Sequence, residues 1–464
     1  MQLKFRFLTL LLILTISIPE ANSATPPKPG AKCAKLGSTK IYETNQFTCT
    51  KSGKKLIWKL GASVNKTNDF KESGTTVDSE NCKLQDARIR KLQPNNVGFP
   101  LQEDIIPVKG EINVIVIPVD FSDSPAGNLP TGYLIEQTKN MNEWYKHFSA
   151  GQVSLSFQIG NKWIRAPEPD SKYVVPKSIA NSPGVAGEIQ YKLAQDIVTA
   201  SGDTFDFKKS NAIFFYMPTI KSVDHDMGGR GITLNTPNGN KSFFFWGGGA
   251  YHFDNRNLKA NVKKEKMWAF WIHEMLHSQG LALHSPANGS STGLHTDQYG
   301  ASSAIDSWEL FRLGWVREPN IACLDSNNEI NNRLILKPVE LGSKLAKFAI
   351  VKLNSYEALI IESRRPIGYS KEWKSDQKGI LVYRIDVRND NDRSGESTGD
   401  TGNSAAFPKW GYLLSPENKD LRNLSSHEIE RYILRKNQTA SYSNIRIKLI
   451  DSVEDEDLIE ITKM

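Results

Sequence analysis

Residues 271–284 read WIHEMLHSQGLALH, and His273, Glu274 and His277 within them spell H-E-x-x-H. On a helix, positions i and i+4 share one face, with Cβ atoms roughly 6 Å apart. Two neutral imidazoles at that separation hold one tetrahedral metal ion. The carboxylate beside the first of them then reaches a water on that ion. The competing reading is a core helix carrying two hydrogen-bonded histidines.

Working outward, residues 262–272 form a plausible helix. Trp268, Ile272, Met275 and Leu276 follow i, i+4, i+7, i+8 spacing, so one apolar face can bury while the histidines point elsewhere. Gly280 stands where such a helix ends with a left-handed residue. A turn there returns a third side chain to the metal, and His284 is the nearest candidate. Five of the eight histidines fall between His252 and His295, which favours a site over scattered core use. The expectation is a zinc hydrolase site.

The 464 residues allow two or three domains and ample core. Lys4 and Arg6 precede an apolar run over residues 7–18, and Ala21-Asn22-Ser23 offers small residues for cleavage. Residues 1–23 therefore read as a signal peptide, too short to span a bilayer comfortably. No later stretch is long enough for a membrane span, and the mature chain is expected to be secreted. Its charge is mild: loss of the leader takes the formal +7 only to +6. With no basic block interleaved by aromatics, nucleic acid is not an expected partner.

Four cysteines, an even number, suit an oxidising compartment. Cys33 pairs with Cys49 by proximity in sequence, leaving Cys82 for Cys323; three connectivities exist in principle. A thiol of Cys82 capping the metal in a latent form is the functional alternative.

The expected organisation is a small disulfide-clipped module over residues 24–60 and a polar linker over 61–80. A metallopeptidase domain over 81–320 and a β-rich domain over 321–464 then follow. Within the large domain, residues 112–121 read as a buried strand and 131–148 as an amphipathic helix. A half-exposed strand at 152–159, a helix at 184–200 and a buried strand at 212–217 come next. That order describes an α+β layered domain. Residues 221–240 read as surface loop, and 243–246 as an aromatic strand running into a glycine turn at 247–249, its edge either joined by an extended substrate or simply packed. Asp120 and Asp123 are either a cation site or a polar strand end; the turn reading is preferred. Residues 306–316 read as a short helix. From residue 330 a run of strands with polar turns fits a β-sandwich. Asp390, Asp392, Glu396 and Asp400 leave calcium open, although their spacing matches no EF-hand loop.

At these residues the chain resembles the immune inhibitor A-like secreted metallopeptidases, relatives of the metzincins. The likeness includes INVIVIPVDF, WYKHFSAGQVSLSF, HEMLHSQGL, DSWELFRLGWV and YEALIIESRRPIGYSKEWKSDQKGILVYRID, in order over roughly residues 82–400. The resemblance implies a metzincin-like catalytic domain with a mixed sheet plus helices. It implies zinc-dependent cleavage of extracellular proteins, with His273 and His277 as ligands, Glu274 as general base and Gly280 as the turn glycine. Two features depart from the pattern. The third metzincin ligand falls three residues after the glycine, here Leu283, with His284 one further. No methionine occurs between Met275 and Met464, so the methionine turn is missing. Asp297, His295 and Glu309 stand as alternative ligands, and Tyr299 or His295 as an assisting donor. The expected partners are protein or peptide substrates, and the expected state is a monomer. The rival functions are a zinc hydrolase of cell-wall peptides and a catalytically degenerate zinc-containing surface-binding protein.

Overall fold

The computed structural model describes residues 28–42, 45–53, 55–63, 71–88, 96–102, 104–173, 183–217, 227–249, 266–281, 284, 292–296, 298, 300–341, 345–389, 410–419 and 428–464. The expected leader, the acidic stretch from Asp390 to Asp400, Asp297 and Tyr299 lie outside these residues. Two compact units divide the chain, one reaching Phe70 and the other running from Lys71 to Met464.

In the first unit β1 (Thr39–Tyr42), β2 (Asn45–Ser52) and β3 (Lys55–Ser63) form an antiparallel sheet in that order. Its core is little more than Phe47, Cys49 and Trp58. So few apolar side chains cannot offset the chain entropy of such a small unit without a cross-link. The Cys33–Cys49 disulfide spans 16 residues, a loop whose closure is worth about 3 kcal/mol.

The second unit begins with β4 (Gly110–Asp120), α1 (Thr131–Phe148), β5 (Val153–Ile159), β6 (Ile164–Arg165), α2 (Pro183–Ser201) and β7 (Ala212–Met217). A hairpin of β8 (Met227–Thr236) and β9 (Gly239–Gly249) follows, then α3 (Met267–Ser278) and α4 (Ser307–Arg312). The sheet runs β5-β4-β7-β9-β8, parallel except for β8, with β6 extending β4. Strand residues alternate between faces, and both faces are buried. Ile112, Val114, Val116, Phe214 and Phe244 meet α1 and α3. Ile115, Ile117, Ile213, Phe215 and Phe245 meet α2 on the other side. This double burial explains the near-continuous apolar runs of β4 and β7.

The remaining strands are β10 (Ile321–Asp325), β11 (Asn331–Leu336), β12 (Phe348–Lys352), β13 (Glu357–Arg364), β14 (Gly379–Asp386), β15 (Gly411–Leu413), β16 (Thr439–Tyr442), β17 (Ile445–Val453) and β18 (Glu456–Lys463). They form two sheets, ordered β10-β12-β13-β14-β15 and β11-β18-β17-β16. Val351, Leu359, Ile361 and Val382 of the first meet Ile447, Ile459 and Ile461 of the second, a sandwich. The opposite face of the first sheet, with Phe348, Ile350, Ile360 and Leu381, buries Trp308 and Phe311 of α4.

The α+β class and the sandwich therefore match expectation, and four details differ. Residue 320 is no domain boundary, because α4 packs on the sandwich and the unit from Lys71 to Met464 is continuous. The expected linker over 61–80 is shorter: β3 reaches Ser63, while Ser73 bridges Arg333 and Val77 bridges Cys323. Met227–Thr236, expected as loop, is an edge strand whose glycines hid its pattern. Consequently β9 is flanked by β7 and β8, and the sheet edge expected at Phe243–Trp246 belongs to β8 instead, where Gln195 of α2 bonds both main-chain groups of Asn235. Asp120 and Asp123 follow the turn reading. The first takes the Arg165 guanidinium at two points, 2.7 Å each, and the second accepts the Asp170 backbone N–H at 2.6 Å.

Candidate metal centre

α3 lies on the sheet with Trp271 stacked on Phe214, ring centroids 4.4 Å apart. Its first turn is capped from another helix, the Trp268 backbone N–H donating to Gln137 Oε1 at 2.9 Å. Its end is a Schellman turn: Leu281 N–H donates to Leu276 O at 3.0 Å and Gly280 N–H to His277 O at 3.3 Å. Gly280 adopts φ +102°, and a Cβ there would stand 2.5 Å from Gln102 O. Glycine is thus required for both conformation and space.

This turn aims a histidine. The Leu281 carbonyl that it presents lies 2.7 Å from His277 Nδ1, while Leu294 O lies 3.0 Å from His273 Nδ1. Carbonyls only accept, so each Nδ1 carries the proton and each Nε2 keeps a bare lone pair. Yet His273 Nε2 lies 3.2 Å from His277 Nε2 and 3.2 Å from His284 Nε2. Burial, reinforced by the neighbouring imidazoles, holds His277 well below its ordinary pKa, in the neutral form that ligates metal.

Converging lone pairs repel unless a cation sits among them. A tetrahedral ion with bonds of about 2.0–2.1 Å to nitrogen spreads its donors about 3.3 Å apart. The donor set therefore fits a metal ion. Among the described residues, His273, His277 and His284 form the group that could hold a metal ion, their ligand atoms all within 4.8 Å of one another. Glu274 is nine-tenths buried on α3 between the two helical ligands.

Sequence reasoning offered His295 and Glu309 as alternative ligands; the structure places them one layer out. His295 Nε2 lies 3.3 Å from His277 Nδ1, and His295 Nδ1 contacts Glu309 Oε1 of α4. Both side chains are buried, and burial lifts the Glu309 carboxyl well above the usual range. Behind them lies a group the sequence did not reveal. Arg364, at the end of β13, is fully buried among Glu362 at 2.8 Å, Glu340 at 3.0 Å and Asp306 at 3.4 Å. It also donates to Ser302 Oγ at 2.8 Å and to the Thr292 carbonyl. Burial works against its charge, but the surrounding carboxylates outweigh that and raise its pKa. Two acids three apart in the apolar DSWELF segment were the one available signal of this network.

The second disulfide, Cys82–Cys323, joins the start of this unit to β10, so Cys82 is no metal cap. No helix among the described residues is long and apolar enough to cross a membrane.

No family model matches the chain. No curated protein matches it either. Among solved structures it is similar to a catalytically inactive OgpA from Akkermansia muciniphila in complex with an O-glycopeptide (glycodrosocin) substrate. The identity is 12%, over 65% of this chain and 89% of that one, with a TM-score of 0.21.

Proposed function

We propose that the chain is a secreted zinc-dependent endopeptidase acting on protein or peptide substrates. The observation that carries this reading is the convergence of three imidazoles, His273, His277 and His284, their ligand atoms all within 4.8 Å of one another, with a buried carboxylate, Glu274, on the helix that carries the first two. A purely structural site has no use for that carboxylate.

His273, His277 and His284 would hold the ion, each ring's tautomer and angle being set for the first two by a backbone carbonyl. Bound zinc supplies Lewis acidity toward a water and a substrate carbonyl. Glu274 takes the proton of the attacking water and passes it to the leaving amine. β8, at the end of the strand order, offers main-chain groups to an extended peptide. The leader and the two disulfides support secretion.

The test is cleavage of unfolded casein by wild type, by Glu274→Ala and by a chelated sample. Wild type should cut and both controls should not, while Glu274→Ala should still bind one zinc. Full turnover by Glu274→Ala would remove the assignment.

A further inference from the structure

Residues 28–63 hold eight lysines against one glutamate, a formal +7 that equals the charge of the whole chain. None of these basic residues is arginine. His273, His277 and His284 all belong to the larger unit, so these lysines are no part of that cluster.

The register of the small sheet sorts the lysines. Phe47, Cys49 and Trp58 point to the core side. The other side follows from the pairings: Ser52 opposite Lys55, Thr50 opposite Ile57, Thr48 opposite Lys59 and Thr39 opposite Thr48. Lys32 bridges Ile57 from the far side of β3 and joins the same face. Lys55 and Lys59 are then the two diagonal neighbours of Lys32, roughly 7–8 Å away in backbone terms. They stand about 13 Å from each other along the strand. All three are exposed, and the hydroxyls of Thr39, Thr48, Thr50 and Ser52 lie between and beside them.

We propose that this lysine–hydroxyl face docks a phosphate-bearing linear polyanion outside the cell. Ammonium groups bind phosphate as point charges, without the fork geometry that makes arginine selective for one orientation. Repeated anionic groups on a flexible polymer need only that. The interleaved hydroxyls can donate to the remaining phosphate oxygens. Single-stranded nucleic acid needs stacking platforms, and the described aromatics of the unit, Phe47 and Trp58, are buried. A bilayer anchor needs apolar side chains to insert, and among its described side chains this face offers only the half-buried Ile57.

The test uses the full chain, with long-chain inorganic polyphosphate as one probe and vesicles of phosphatidylglycerol and phosphatidylcholine as another. Wild type should bind polyphosphate, with affinity falling about 20-fold from 50 to 200 mM salt for three neutralised phosphates. The triple variant Lys32→Glu, Lys55→Glu, Lys59→Glu should lose roughly a hundredfold, about a factor of five per lysine. Glutamine at the same three positions, which adds no repulsion, should lose less. Lys139→Glu, Lys146→Glu, Lys162→Glu, at exposed positions of the larger unit, makes the same change in net charge and should shift binding less than twofold. Equal losses from the two glutamate triples would reduce the effect to net charge and overturn the assignment. So would binding to the vesicles and not to polyphosphate, or no polyphosphate binding at 50 mM salt.

Discussion

Arg364 donates to the carbonyl of Thr292, 72 residues away in the chain. One end of this bond is in the β-sandwich, and the other begins the segment that carries Leu294 and His295. Leu294 O holds His273, and His295 meets His277. The sandwich is thereby tied to the segment whose Leu294 carbonyl and His295 ring contact the two candidate ligands His273 and His277.

Arg364→Met should accordingly do two things. It leaves Asp306, Glu340 and Glu362 buried without their cation, which costs about 3–5 kcal/mol of stability. It also loosens the segment behind the ligands, lowering metal affinity about tenfold. Urea unfolding and chelator competition read the two effects separately. An unchanged urea midpoint would show that the network is not held by this charge.

Burial raises the Glu340 carboxyl above its ordinary value, although Arg364 and Ser370 pull the other way. The sign follows from linkage. Between the unfolded and folded pKa values the native state holds a proton that the unfolded state has lost. Stability therefore falls as pH rises from the ordinary carboxylate range through the folded pKa. Glu340→Gln removes this titration. Relative to wild type, the variant should gain stability between pH 4.5 and pH 8, measured by urea unfolding at both. A flat or opposite difference would place the folded pKa at or below the unfolded one.

Much of this molecule was legible in advance, for physical reasons. The strands with clean alternation or continuous apolar runs, β4, β5, β7 and β12 to β14, fell where periodicity put them. α1 matched its bounds because its apolar spacing and flanking Pro130 agree. The pairing of His273 with His277 on one helix face was legible because H-E-x-x-H is local. β8 was not, since its glycines erase the pattern that edge strands already show weakly. The layer behind the ligands was not, because contacts from His295 to Glu309 and from Arg364 to Thr292 join distant segments. Nothing in a local window marks an arginine as buried.

The order of the two histidine layers is testable. His284→Ala should abolish stoichiometric metal binding, since it removes one of three lone pairs. His295→Gln should keep one metal per chain and weaken it by about 10–100-fold, the usual cost of losing a partner behind a ligand. Metal content after dialysis and competition titration separate the cases. Loss of stoichiometry in His295→Gln but not in His284→Ala would exchange their roles.

Two helix-ending glycines allow a controlled comparison. Gly280 ends α3 at φ +102° with Gln102 O at 2.5 Å from a would-be Cβ, whereas Gly314 follows α4 at φ +66° with nothing within 4 Å. Gly314→Ala therefore meets only the left-handed backbone term, about 1–2 kcal/mol. Gly280→Ala adds a backbone clash that must be relieved by shifting the turn, for a total of about 2–5 kcal/mol. The shift moves the Leu281 carbonyl, the group that orients His277. Gly280→Ala should thus weaken metal binding about tenfold, and Gly314→Ala should leave it unchanged while lowering the melting temperature. Equal metal affinity in the two variants would mean that the turn after α3 supports the helix and does not aim the ligand.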